Sequence, residues 1–139
     1  MSEKKISINL ESSTSIIILN YNGGNDLFEC IESIYQTIDC QYEVILIDNN
    51  STDNSHIECK NKFSQIKLIQ NDENIGMAAR NIGIKNSKSN FIVFLDSDTI
   101  VEKDWLKNLI KSFQKHGEGL YQPKILQKQN RNLINSCGN

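Results

Sequence analysis

The chain has 139 residues, a formal net charge of −2 and 38 % apolar residues. That length suits one domain, and a domain near this size buries roughly two-thirds of the surface its unfolded chain exposes. The near-neutral charge and scattered lysines give no basic field for nucleic acid, and no apolar run approaches the roughly 20 residues that span a bilayer.

The opening, MSEKKISINLESS, is polar and lacks an apolar h-region. No secretory signal is therefore expected. A cytoplasmic location is expected instead, with at most peripheral association at the inner membrane face. Residues 1–13 read as a flexible polar tail. Cys30, Cys40, Cys59 and Cys137 form no Cys-x-x-Cys pair, and the only histidines are His56 and His116. Zinc ligation needs closer spacing, so reduced, partly buried thiols are expected.

From Thr14 onward, short apolar runs alternate with amphipathic stretches. Ile16-Ile17-Ile18-Leu19 is β-branched-rich and continuous, the pattern of a strand buried on both faces. Asp26 is a candidate N-cap for a helix with Leu27, Ile31, Ile34 and Ile38 on one stripe. Val44 to Ile47 predicts a second buried strand, breaking at Asp48 into the turn-rich DNNSTDNS. A short polar helix through about Phe63 follows. Ile66 to Ile69 alternates more and predicts a strand nearer an edge. Gly76 to about Ile84 is helix-compatible. Phe91 to Leu95 predicts a fourth strand, ending in Asp96-Ser97-Asp98. Trp105, Leu106, Leu109, Ile110 and Phe113 mark an amphipathic helix. A weaker strand is expected near Leu120–Leu126, and the final NLINSCGN shows no clear element.

Strands separated by helices imply right-handed crossovers, hence an α/β fold with a mostly parallel, Rossmann-like sheet flanked by helices. Ligands of such sheets bind beyond the carboxyl ends of the strands, where the strand order reverses. Three tips are then expected to converge: Asn20-Tyr21-Asn22-Gly23-Gly24, Asp48-Asn49-Asn50 and Asp96-Ser97-Asp98.

Asp96 and Asp98 are two carboxylates just past an apolar strand. Like charges at about 4 Å repel by roughly 4 kcal/mol at an effective dielectric near 20. A divalent cation removes that penalty, and Mg²⁺ or Mn²⁺ takes one or two carboxylates together with substrate phosphates. The pair thus reads as a diphosphate–metal site. The alternative for a lone Asp-x-Asp is a turn-capping Asp96 and a solvated Asp98. Asp48 can accept hydrogen bonds from a base or ribose, or simply start the next helix. Tyr21 can stack on a nucleobase or pack at a strand end. Arg80 can pair with phosphate oxygens or sit on the surface.

Taken together, SIIILNYNGGNDLFECIESI, EVILIDNNSTDNS, NDENIGMAARNIGIK and FIVFLDSDT resemble family 2 glycosyltransferases, in that family's order and spacing. The resemblance runs from Thr14 to the C-terminus and includes Gln122-Pro123-Lys124-Ile125 through Ser136-Cys137-Gly138. It implies a GT-A fold and a nucleoside-diphosphate sugar as ligand. Asp48 then contacts the base, Tyr21 lines its pocket, and Asn74, Gly76 and Arg80 hold the ribose–phosphate region. Asn20, Asn22 and Asn50 belong to the same nucleotide-sugar set. Asp96 sits by ribose or metal, Asp98 is the main metal ligand, and the cofactor is Mg²⁺ or Mn²⁺. The sugar passes to an acceptor hydroxyl with inversion, in the synthesis of polysaccharide or cell-surface glycan, the acceptor being a glycan or lipid-linked glycan. Asn-Tyr-Asn-Gly is similar to members that add rhamnose or related sugars.

An inverting transfer needs a general base, which the resemblance places downstream of Asn139. Glu102, Asp104 and Glu118 read as solvated charges in or beside the Trp105 helix. Residues 14–139 thus read as the donor half, with the acceptor half missing and little turnover by this chain alone. Three alternative readings compete. FLDSDTIV also fits the opening motif of haloacid-dehalogenase-type phosphohydrolases, but that motif normally opens its domain. A nicotinamide-binding Gly-x-Gly-x-x-Gly turn is not supplied by Asn22-Gly23-Gly24-Asn25. A non-catalytic binding or assembly module, self-associating or meeting a partner chain through an uncovered sheet edge, remains open.

Overall fold

The computed structural model describes residues 13–130 and 134–136. The expected polar tail therefore lies, Ser13 apart, outside the described residues, as does Cys137. Strands β1 (Thr14–Asn20), β2 (Tyr42–Asp48), β3 (Lys67–Gln70) and β4 (Phe91–Asp96) form one parallel sheet in the order β3-β2-β1-β4. Helices α1 (Gly24–Tyr35), α2 (Ser55–Lys62) and α4 (Trp105–His116) contribute to the core on one face. Helix α3 (Arg80–Asn86), entered through a 3-10 turn over Gly76–Ala79, covers the other.

The apolar runs explain this layering. Ile16, Ile17 and Ile18 are fully buried, and β2 is buried from Val44 to Asp48. Each such Ile is worth about 1.5–3 kcal/mol relative to exposure. Side chains alternate across a strand. Ile16, Ile18, Val44 and Leu46 thus meet Leu27, Ile31 and Ile34 of α1, while Ile17, Ile45 and Ile47 face Ala79 and Ile82. Gly83 makes the second contact close: a Cβ there would stand 2.5 Å from Ile17 Cγ2.

Several expectations shift. Asp26 lies in the first turn of α1, where its charge suits the helix N-terminus; the cap is Gly23. The helix ends at Tyr35, the backbone N–H of Thr37 donates to Ile34 O, and Ile38 falls beyond the stripe, 49 % exposed. That turn anchors α4 instead: Trp105 Nε1 donates to Thr37 Oγ1 at 2.9 Å, and Ile38 N–H donates to Lys103 O at 3.0 Å. The expected strand near Leu120–Leu126 shrinks to β5 (Ile125–Leu126), which pairs antiparallel with β6 (Ile134–Ser136), an element absent from the sequence reading. Finally, β4 is an edge of the four-stranded sheet, like β3. Its Ile92 and Phe94 face the α3 side, opposite Ser15 and Ile17, yet remain 38 % and 43 % exposed because α3 packs over β1 and β2. Among the described residues, no helix is long and apolar enough to cross a membrane.

Candidate functional site

The chain leaves β1 toward β2 on one side and returns from α3 to β4 on the other, so the strand order reverses at β1. Beyond the carboxyl ends of β1 and β4 lies an open cleft of about 460 Å³, within the usual size range of small-ligand sites. Tyr21, Asn74, Gly76, Arg80, Asp96 and Asp98, all expected from sequence, line it, together with Leu19, Gly23, Asp26, Asn49, Met77 and Ser97.

Register decides which tip residues arrive there. Asn20 aligns with Asp48, and Leu19 with Asp96. Alternation then puts Asn20 and Asp48 on the α1/α2 face, but Leu19, Asn49 and Asp96 on the α3 face. The structure accordingly does not bring Asp48 to the cleft wall. Asp48 is 1 % exposed, and its carboxylate is committed inside the protein. Asn20 Nδ2 donates to Asp48 Oδ1 at 2.8 Å, Ser51 Oγ donates to the same oxygen at 2.6 Å, and Ser51 N–H donates to Oδ2 at 3.0 Å. His56 Nδ1 stands 3.3 Å from Oδ1 without making a good hydrogen bond, while Gln70 Nε2 lies 2.9 Å from His56 Nε2.

Asn20, Asn22 and Asn50 are likewise not cleft-lining; they shape the loops beneath it. Asn22, at φ +52°, accepts the N–H of Thr52 at 2.8 Å, and its own N–H donates to Ser51 Oγ. Asn50 is exposed at φ +66°, a turn conformation that asparagine tolerates. Asp53 Oδ2 accepts the N–H of Gly24 at 2.9 Å, tying the start of α1 to the loop before α2.

Sequence reasoning missed Asn49 as a site residue. It is 2 % exposed and uses its whole amide. Oδ1 accepts Asn71 Nδ2 at 3.0 Å and Ile75 N–H at 3.2 Å; Nδ2 donates to Asn74 Oδ1 at 2.7 Å and Gly76 O at 3.2 Å. This clamp shapes segment 71–76, where Gly76 takes φ +60°, and so delivers Arg80 to the cleft. The period-two pattern of β2 was the signal that could have found it.

On the far wall, Arg80 Nη2 donates to Asp96 Oδ1. Asp96 is 70 % exposed at its side chain, and Asp98 is exposed as well. Beneath them, Cys30 Sγ donates to Asp96 O at 3.6 Å, and burial pushes its thiol up to about 12. Cys30, Cys40 and Cys59 are free thiols. Among the described residues no three His, Cys, Asp or Glu side chains gather as a metal-binding group. Two carboxylates beside an open cleft suit a hard cation with further oxygen ligands from waters and phosphates better than a closed structural zinc site. Glu102, Asp104 and Glu118 do not line the cleft.

A family model for glycosyl transferase family 2 matches residues 15–135. The chain belongs to that family. As a family 2 member it is 34 % identical over 106 residues to glycosyltransferase GlyA of Streptococcus pneumoniae, covering 73 % of this chain but only 15 % of that protein. Its fold is similar to that of S. aureus TarS in complex with UDP-GlcNAc, with a TM-score of 0.67 at 23 % identity, covering 82 % of this chain and 40 % of that one. A mannosyltransferase from Pyrobaculum calidifontis, in complex with GDP-Man and Mn²⁺, gives a TM-score of 0.72 at 19 % identity, covering 88 % and 38 %. The architecture is thus that of the GT-A glycosyltransferases. This family 2 chain spans well under half the length of each of these three proteins.

Proposed function

We propose that the chain is the nucleotide-sugar-binding portion of a metal-dependent glycosyltransferase. The observation that carries this is the grouping of Asp96, Asp98 and Arg80 around one cleft at the point where the strand order reverses. Tyr21, 54 % exposed on the cleft wall, offers a face for a nucleobase. Arg80 offers donors to the diphosphate, and the segment from Asn74 to Gly76 borders the ribose–phosphate region. Asp96 and Asp98 would hold Mg²⁺ or Mn²⁺, which supplies Lewis-acid stabilisation of the departing nucleoside diphosphate. Transfer proceeds with inversion to a hydroxyl of a glycan or lipid-linked glycan acceptor in cell-surface polysaccharide synthesis. The UDP-GlcNAc, GDP-Man and Mn²⁺ bound by the structural neighbours support the ligand class. Asp48 serves in this reading by fixing the loops under the cleft.

Calorimetric titration with uridine, thymidine and guanosine diphosphates, with and without Mn²⁺, tests the proposal. Metal-dependent binding of at least one is expected, and its loss in Asp98→Ala. Indifference to the metal or to that substitution removes the assignment.

The exposed Ile92 and Phe94 on edge strand β4 favour one second reading, a binding or assembly module that self-associates or docks a partner chain. Light scattering showing a monodisperse monomer would count against self-association.

A further inference from the structure

The Arg80–Asp96 pair joins a group suited to phosphate and a group suited to the cation. Arg80 cannot serve a diphosphate fully while it holds Asp96, and a carboxylate neutralised by a guanidinium is a poor cation ligand. Two further observations bear on Arg80. Its Nε is buried and meets no hydrogen-bond partner among the described residues, so the side chain carries an unused donor. Its guanidinium carbon lies 5.6 Å from the ring centroid of Phe94, a range at which the ring face stabilises a cation. Phe94 can support the guanidinium after it leaves Asp96. The pair is also exchangeable: Asp96 is 70 % and Arg80 24 % exposed at the side chain, and exposed ion pairs are weak.

We propose that Arg80 is a latch that couples nucleotide to cation: it holds Asp96 until nucleotide enters, then moves onto the diphosphate and frees Asp96 for the metal. The proposal rests on the nucleotide–cation reading of the cleft and adds a direction to it. The metal alone binds weakly, and nucleotide and metal bind together better than either does separately. By linkage the coupling is reciprocal.

Isothermal calorimetry of the full chain with Mn²⁺ alone, and with uridine and guanosine diphosphates with and without Mn²⁺, separates the claims. Arg80→Gln removes the competing charge and two roles at once. Its affinity for Mn²⁺ alone should rise by about fivefold, the scale of a partly exposed ion pair. Its affinity for nucleoside diphosphate in Mn²⁺ should fall by about tenfold, the scale of a charge-assisted hydrogen bond. Asp96→Asn works from the other side: nucleotide binding without metal should tighten, because Arg80 is already free. Asp98→Asn should not reproduce that tightening. Circular-dichroism melting of each variant checks the fold, and Arg80→Gln and Asp96→Asn report independently. If nucleotide binds the wild type with Mn²⁺ but Arg80→Gln takes up Mn²⁺ alone no better, the latch is wrong while the site stands. If no nucleoside diphosphate binds the wild type, the underlying site and the latch fall together.

Discussion

The tips of β2 and β4 both carry acidic side chains at the same end of one parallel sheet, and they are built in opposite ways. At β2, Asp48 is 1 % exposed and accepts hydrogen bonds from Asn20 and Ser51 through both oxygens. Asn49 beside it satisfies all four of its amide valences within the protein. At β4, Asp96 and Asp98 face solvent in the cleft, and among the described residues the partner of Asp96's carboxylate is the guanidinium of Arg80. A buried carboxylate without partners costs several kcal/mol, whereas a saturated one fixes geometry. The β2 tip is therefore a scaffold, and the β4 tip keeps its carboxylates exposed. Acidic residues at strand ends do not share a role merely by sharing an edge.

The sharpest way to break this comparison is to remove one charge from each tip without changing its shape. Asp48→Asn puts an N–H₂ group among the donors of Asn20 and Ser51. Leaving buried donors unsatisfied costs about 1–3 kcal/mol each, so a loss of about 2–4 kcal/mol is expected in urea unfolding. The same change at Asp98 should stay within about 0.5 kcal/mol, as for surface positions generally. Equal losses at the two sites would erase the distinction between scaffold and charge.

A second test sharpens it within β2. Asn49→Ala removes the clamp on segment 71–76 and leaves Ile75 N–H and the Asn71 amide without their acceptor. A loss of about 1–3 kcal/mol is expected. Hydrogen exchange should quicken at Ile75 and Gly76, while the interior amides of β1 keep most of their protection. Uniform quickening across the sheet would mean that Asn49 supports the fold at large and not this segment.

These contrasts show what the sequence could disclose. The largely buried β1 and β2, the crossover helices and the parallel sheet were legible, because continuous β-branched runs between amphipathic stretches admit few other arrangements. The cleft's Tyr21, Asn74, Gly76, Arg80, Asp96 and Asp98 were legible from the strand-tip rule and the family resemblance. Taken as a cluster, the β2 tip points Asp48 to the cleft, whereas alternation sends 48 and 49 to opposite faces. Which face holds the cleft depends on where α3 lies, and that is a tertiary fact. The exposure of Ile92 and Phe94 was hidden for a similar reason: an apolar run declares a strand, but not whether a helix covers it. Helix α1 was read one residue group too far, since Ile38 keeps the stripe's period past the turn that ends it.

The smallest expected effect concerns Asp53, which bridges the two loops under the cleft. It is exposed, yet Oδ2 accepts the N–H of Gly24, and Oδ1 accepts both the N–H and the Oγ–H of Ser55 at the start of α2. Partial burial pushes its carboxyl up, but the hydrogen bonds from Ser55 and Gly24 outweigh it, and the net result lies below the ordinary 3.8. A carboxylate held lower in the folded state contributes stability above its unfolded value and loses that contribution as pH falls through the folded value. Asp53→Asn should therefore melt below wild type at pH 7, and the gap should narrow as the pH drops under about 4. The charge matters here because each carboxylate oxygen accepts a backbone N–H at a helix start, where a negative group is favoured. Solvent screens that benefit, so the gap should be modest and shrink with added salt. A gap that is constant from neutral to acid pH would show that Asp53 acts through hydrogen-bond shape alone. The scaffold would then be electrically neutral in effect, and the charge-bearing role would belong to the β4 tip.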